Sequence, residues 1–77
     1  MTFALLDTVV LDRDLPERGL RRGDLGAVVE VLEPDGLEVE FVTASGETQA
    51  VVTLTTDDVR RVGKRDLVAV RPLEKTG

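Results

Sequence analysis

Between Leu37 and Val42 the chain reads Leu-Glu-Val-Glu-Phe-Val, so that Leu37, Val39 and Phe41 alternate strictly with Glu38, Glu40 and Val42. A period of two is the repeat of a half-buried strand; a helix would scatter those three apolar side chains around its circumference. The flanking segments repeat the pattern. Upstream, Leu25, Ala27, Val29 and Val31 share one face at the same period and are predicted to face the core, with Gly26, Val28, Glu30 and Leu32 opposite. Downstream, Thr48, Ala50, Val52 and Leu54 share a face. Between the first two segments, Pro34 presets a turn, Asp35 can accept local backbone bonds, and Gly36 is expected to take the positive φ of a tight hairpin. Gly46 is placed to do the same in the second connection, Thr43–Thr48. Three consecutive antiparallel strands follow.

The remainder of the chain adds two strands. The first is expected from about Asp7 to Leu11, followed by a long charged loop in which only Leu15 and Leu20 can reach a core. Gly23 then supplies a positive-φ turn, Asp24 bonds to nearby backbone N–H groups, and Gly26 leaves room for a bend or a close approach. After Leu54, Thr55 or Thr56 can cap a single helical turn whose dipole Asp57 and Asp58 complement, with Val59 as its anchor. The last strand is expected in Asp66–Val70, stopped by Arg71 and Pro72 because proline cannot donate to a ladder. The resulting expectation is all-β: one domain over residues 1–77, a small five-stranded SH3-like barrel with one short helical turn before the last strand and a loosely held tail after about residue 72.

With 77 residues and neither Cys nor His, the chain has no disulfide or conventional zinc site to support a core that buries only about 60% of the unfolded surface. Packing and strand pairing must stabilise it. The net charge is −5, with nine acids and four bases in residues 1–38 and six of each in residues 39–77. That acidic excess repels phosphate backbones and argues against nucleic acid as the partner, although Arg18, Arg21 and Arg22, and then Arg60, Arg61, Lys64 and Arg65, form local basic clusters. Phe3 and Phe41, the only aromatics, offer no stacking platform. The apolar N-terminus carries Asp7 and no basic start, which fits neither a signal peptide nor a membrane span, so a cytoplasmic protein is expected.

Gly23 and Gly26 do not make a phosphate loop, because they follow a loop and enter a strand, whereas phosphate loops follow a strand and open a helix. The Arg22-Gly23-Asp24 tripeptide is read as part of that turn. Catalysis lacks a His, Cys or Tyr, and Ser45, the only serine, sits beside Gly46 in a turn. Asp12 with Asp14, and Asp57 with Asp58, stand in no recognisable Ca²⁺ loop. Glu38 and Glu40 lie on the outer face of a strand, where like charges repel unless a partner compensates them. No catalytic, metal or cofactor site is expected; the surfaces expected to meet a partner are Asp12, Asp14, Glu17, Arg18, Arg21 and Arg22 in the long loop, with Glu38 and Glu40 on the strand.

The segment Asp14–Leu54 resembles a family of small bacterial and cyanobacterial proteins classed as a domain of unknown function, with the pattern L-P-x-x-G-L-x-x-G-D-x-G-T-V-V-E-V, then V-E-F, then G-x-T-x-A. Leu15, Pro16, Gly19, Leu20, Gly23, Asp24, Gly26, Val28–Val31, Val39–Phe41, Gly46, Thr48 and Ala50 match it, while Ala27 stands where the family usually has Thr. The resemblance implies an SH3-like barrel, imports no catalytic residue, and brings an association with compact operons, some similar to toxin–antitoxin pairs. The expected function is a non-catalytic module that binds another bacterial protein as an accessory or antitoxin-like partner, as a monomer or weak homodimer in which Phe3–Leu6 covers its own barrel or pairs with a second copy. The alternative is a ribosome-associated barrel touching RNA through the two basic clusters.

Overall fold

The computed structural model describes residues 2–73. Five strands, β1 (Thr8–Leu11), β2 (Leu25–Leu32), β3 (Gly36–Val42), β4 (Thr48–Thr55) and β5 (Val59–Arg61), form one antiparallel sheet in the order β4-β3-β2-β1-β5. β2 is shared: its start, Leu25–Ala27, pairs with β1, and Ala27–Leu32 pairs with β3. The two ends of the sheet, β4 and β5, share no ladder among the described residues, so the sheet is not closed. They are joined by a 3-10 turn, Thr56–Asp58, which the Thr55 side chain and the Asp58 carboxylate cap reciprocally. That turn ties distant loops together, since the Thr56 N–H donates to the Asp35 carbonyl and the Asp12 N–H to the Asp58 carbonyl.

The core lies on one face of the sheet. Val9, Leu11, Val28, Leu37 and Val39 are its most enclosed side chains, joined by Phe3, Leu15, Leu20, Phe41, Ala50, Val52, Leu54 and Val59. The alternation read for β3 and β4 therefore holds, as do the anchoring roles of Leu15 and Leu20. A second 3-10 turn, Pro16–Arg18, and the Leu15–Leu20 bridge hold those two leucines inward within the long loop. Phe3 also packs on its own sheet, with the Arg61 guanidinium 4.8 Å from its ring centre.

Three expectations need correction. In β2 the inward residues are Gly26 and Val28, whereas Leu25, Val29 and Val31 are each more than a third exposed and Ala27 is half-buried. A bulge between Val28 and Glu30 inserts Val29, so the residues before it have the parity opposite to that expected, while beyond it Val31 lies opposite Leu37 as expected but remains exposed. Gly36 is not in the left-handed region; it opens β3 after a turn whose Glu33–Pro34 peptide bond is cis, and the positive-φ glycines are Gly19, Gly23 and Gly46. Finally, Asp66–Val70 is not a strand. The last strand is Val59–Arg61, because Val59 reaches the core beside Leu11 and completes the sheet against β1. The 3-10 turn precedes that strand.

Candidate functional site

The segment Val62–Leu73 runs on from β5 without secondary structure and is held at two points. At the first, the Asp66 carboxylate accepts from both terminal nitrogens of Arg60 (2.9 and 3.2 Å) and from the Gly63 N–H (2.6 Å). At the second, Arg71 donates through Nε and Nη2 to the two oxygens of Asp24 (2.9 and 2.6 Å) and through Nη2 to the Gly19 carbonyl. We call the segment between these anchors the strap. Its anchors mark where it lies: Arg60, Val10 and Leu25 occupy one row across β5, β1 and β2 in the sheet register, and Asp24 precedes Leu25. Val10 points to the face opposite Val9 and Leu11 and is nonetheless only 5% exposed. The strap's two anchors therefore bracket the β5–β1 end of the outer face.

Between its anchors the strap holds Leu67, Val68 and Val70 out in solvent, 94%, 77% and 96% exposed. Ala69–Leu73 forms one wall of a groove of about 400 Å³ whose other walls are Leu20, Gly23 to Leu25, Phe41 to Ala44 and Gln49. The lining is mainly apolar, with the Asp24–Arg71 pair as its charged element. A second, more polar cleft on the other side of Arg71 is bounded by Glu17, Arg18, Arg21 and Gln49.

Asp24 carries this arrangement. Burial pushes its carboxyl up, but the Arg71 guanidinium, the Arg21 N–H at 2.8 Å and the two arginine charges outweigh it and hold the group below the usual aspartate value. A depressed folded pKa stabilises the fold above the unfolded pKa, near 3.9, and that contribution is lost as the pH falls through the folded value. Arg71→Ala is expected to release the strap at neutral pH, lowering backbone order parameters over residues 66–73 from about 0.85 to below about 0.6 at a stability cost of about 1 kcal/mol. Acidification below pH 4 should loosen the same segment in the wild-type protein and change it little in the variant; 15N relaxation along a pH series reads both.

The structure divides the residues expected to meet a partner. Asp12 pairs with Arg22 at 3.0 Å, Asp14 accepts the Arg22 N–H at 2.8 Å, and Arg18 donates to the Val51 carbonyl on β4 at 3.1 Å. Asp12, Asp14, Arg18 and Arg22 thus fix the shape of the long loop, with Glu17 and Arg21 exposed on its surface. Glu38 and Glu40 lie apart from them on the outer face of β3, accepting from the hydroxyls of Thr53 and Thr48 on β4. Of the second basic cluster, Arg60 is committed to Asp66, and Arg61 to Asp7, the Thr2 carbonyl and the Phe3 ring. Ser45 bonds to Thr43 and Glu47 at the exposed tip of the β3–β4 hairpin, which is turn chemistry. Asp58 is held below the ordinary range because bonds from Thr55 and Arg13 outweigh its burial, so it serves the turn it caps. The strap was missed in the sequence because Leu67, Val68 and Val70 read as strand; Arg71 beside Pro72 was the available signal.

A family model described as Domain of unknown function (DUF4926) matches residues 5–61. The chain belongs to this family. The DUF4926 match ends with β5, so it includes all five strands and Asp24, the inner anchor, while Arg71 and the strap lie beyond it. No curated protein and no solved structure matches the chain. Among the described residues no helix is long and apolar enough to cross a membrane.

Proposed function

We propose that the protein is a non-catalytic interaction module, an SH3-like roll that docks another protein through its strap and the groove beside it. The strand order β4-β3-β2-β1-β5, with β2 shared between two halves and a 3-10 turn before β5, supports the roll. One observation carries the docking: three large aliphatic side chains stand almost wholly in water on a backbone that two arginine–aspartate pairs hold in place. Scattered exposed aliphatic residues are ordinary, but contiguous ones on an ordered segment mark an interaction surface. Holding the segment beforehand lowers the ordering cost of binding. The internal commitments of Asp12, Asp14, Ser45 and Asp58 support a non-catalytic reading, since each already has a structural task.

Tagged protein at native abundance, compared with Leu67→Asp and Val70→Asp, tests this reading. Both positions are exposed, so the variants should keep the wild-type circular dichroism spectrum and melting temperature. The wild-type protein should recover a stoichiometric partner, visible as one heteromeric mass by native mass spectrometry, and both variants should lose it. A wild-type protein that runs alone, or a partner recovered equally by all three proteins, would overturn it.

A further inference from the structure

The 37 residues from Gly23 to Val59 contain nine acids and no Lys or Arg. They build β2, β3, β4 and the 3-10 turn, so the three-stranded half of the sheet has no basic residue of its own. The register places its charges. Glu30 lies directly opposite Glu38, Glu40 lies two residues along from Glu38, and Val51 lies opposite Glu40 on β4. All of these point away from Val28, Val39 and Val52, which are in the core, so they share the outer face. Val51 and Val42 are about half exposed on it, and Val29 stands out from the bulge.

This face differs from the rest of the surface in how its charges are met. Among the described residues the ion pairs join arginine to aspartate: Arg13 to Asp58, Arg22 to Asp12, Arg60 to Asp66, Arg61 to Asp7 and Arg71 to Asp24. Glu38 and Glu40 have threonine hydroxyls instead. Arg18 reaches the edge of the face but donates to the Val51 carbonyl. Like charges set directly opposite on neighbouring strands destabilise a sheet, and here two glutamates are so placed on a face that also exposes valines. The strap's anchors bracket the β5–β1 end of the outer face, and only its last residues, Ala69–Leu73, reach this half, across the groove from Phe41–Ala44 at the end of β3.

We infer that the open outer face of β2, β3 and β4 receives a partner surface that is both basic and apolar, its Lys or Arg side chains meeting Glu30, Glu38 and Glu40 and its aliphatic side chains meeting Val42 and Val51. The inference rests on the docking reading above and names the charge of the partner. The occupant is a different protein from this one, since a chain of net charge −5 repels copies of itself. Complementary charge speeds encounter and excludes acidic competitors, and its effect weakens as salt screens it.

The probe is a fluorescein-labelled eight-residue peptide alternating Lys and Val, titrated with the full chain and read by anisotropy at low and at physiological salt. The wild-type protein should bind it at low salt and weaken as salt is added. Glu30→Gln/Glu38→Gln/Glu40→Gln should weaken binding at least tenfold, whereas Glu17→Gln/Glu33→Gln/Asp57→Asn, which removes the same charge elsewhere, should change it less than twofold. The first triple variant should also melt no lower than wild type, because it relieves the Glu30–Glu38 repulsion. Equal weakening in both triple variants, no binding by the wild-type protein, or wild-type self-association lost with the face variant would each overturn the inference. The docking reading fails separately, in the Leu67→Asp and Val70→Asp comparison; a native partner that is lost there but survives Glu38→Gln/Glu40→Gln overturns this inference alone.

Discussion

Leu11→Ala is expected to destabilise the protein by about 2–5 kcal/mol, against a total stability of about 4–12 kcal/mol for a domain of this size. Leu11 is fully enclosed at the crossing of three elements: its strand pairs with β5 at Val59, its N–H bonds to the Asp24 carbonyl, and its carbonyl accepts from the Gly23 N–H. Truncation removes the methyl groups that Leu11 contributes to the core cluster it shares with Leu15, Leu20 and Val59. The backbone around the resulting cavity is fixed by those bonds and cannot collapse into it, so the cost should fall in the upper part of the range. Urea denaturation followed by far-ultraviolet circular dichroism measures the midpoint. Val42→Ala, at a half-exposed position on the outer face, is the reference and should shift stability by less than about 0.5 kcal/mol. A Leu11→Ala midpoint equal to that of Val42→Ala would contradict the position assigned to β1.

Gly26→Val should be at least as damaging, for the opposite reason. A Cβ built at Gly26 would stand 2.6 Å from Cγ1 of Val39, 2.9 Å from Cε1 of Phe41 and 3.1 Å from the Glu40 carbonyl oxygen. Two of those neighbours are core side chains and the third is backbone, so no flexible group can give way. Gly26→Ala is expected to cost about 1–3 kcal/mol and Gly26→Val more, to the point of losing the cooperative transition. Gly63 provides the contrast: its φ is ordinary and an added Cβ meets only an Asp66 carboxylate oxygen at 3.4 Å. Gly63→Ala should be nearly neutral under the same conditions.

The same glycine shows how far the sequence could be read. Its spacing ahead of a valine run announced a close approach inside a strand, and the turn chemistry of Gly23, Asp24 and Gly46 was equally legible because each depends on residues a few positions away. The faces of β3 and β4 were legible for a related reason: strict alternation leaves one choice. β2 was misread because its aliphatic residues are nearly continuous, so either parity satisfies the pattern, and a single bulged residue, Val29, decided it through pairing with β3. Asp66–Val70 failed on a different ground. Its β-branched, apolar composition suits a strand, but a strand needs an edge to join, and the Arg60–Asp66 pair together with the Arg71 bond to the distant Asp24 holds it elsewhere. Of the candidate site, Glu38 and Glu40 were recognisable from their alternation, whereas the loop charges could be assigned to structural bonds only once Arg22 was seen to fold back onto Asp12 and Asp14.

The ladder between β1 and β5 joins Val9 to Arg61 and Leu11 to Val59, residues near opposite ends of the matched segment. Hairpins β2–β3 and β3–β4 close over a few residues each, while this ladder can form only after a loop of most of the domain has closed, at a correspondingly greater entropic cost. Assembly is therefore expected to proceed outward from the central meander, with the β1–β5 ladder the last part to lock and the first to open.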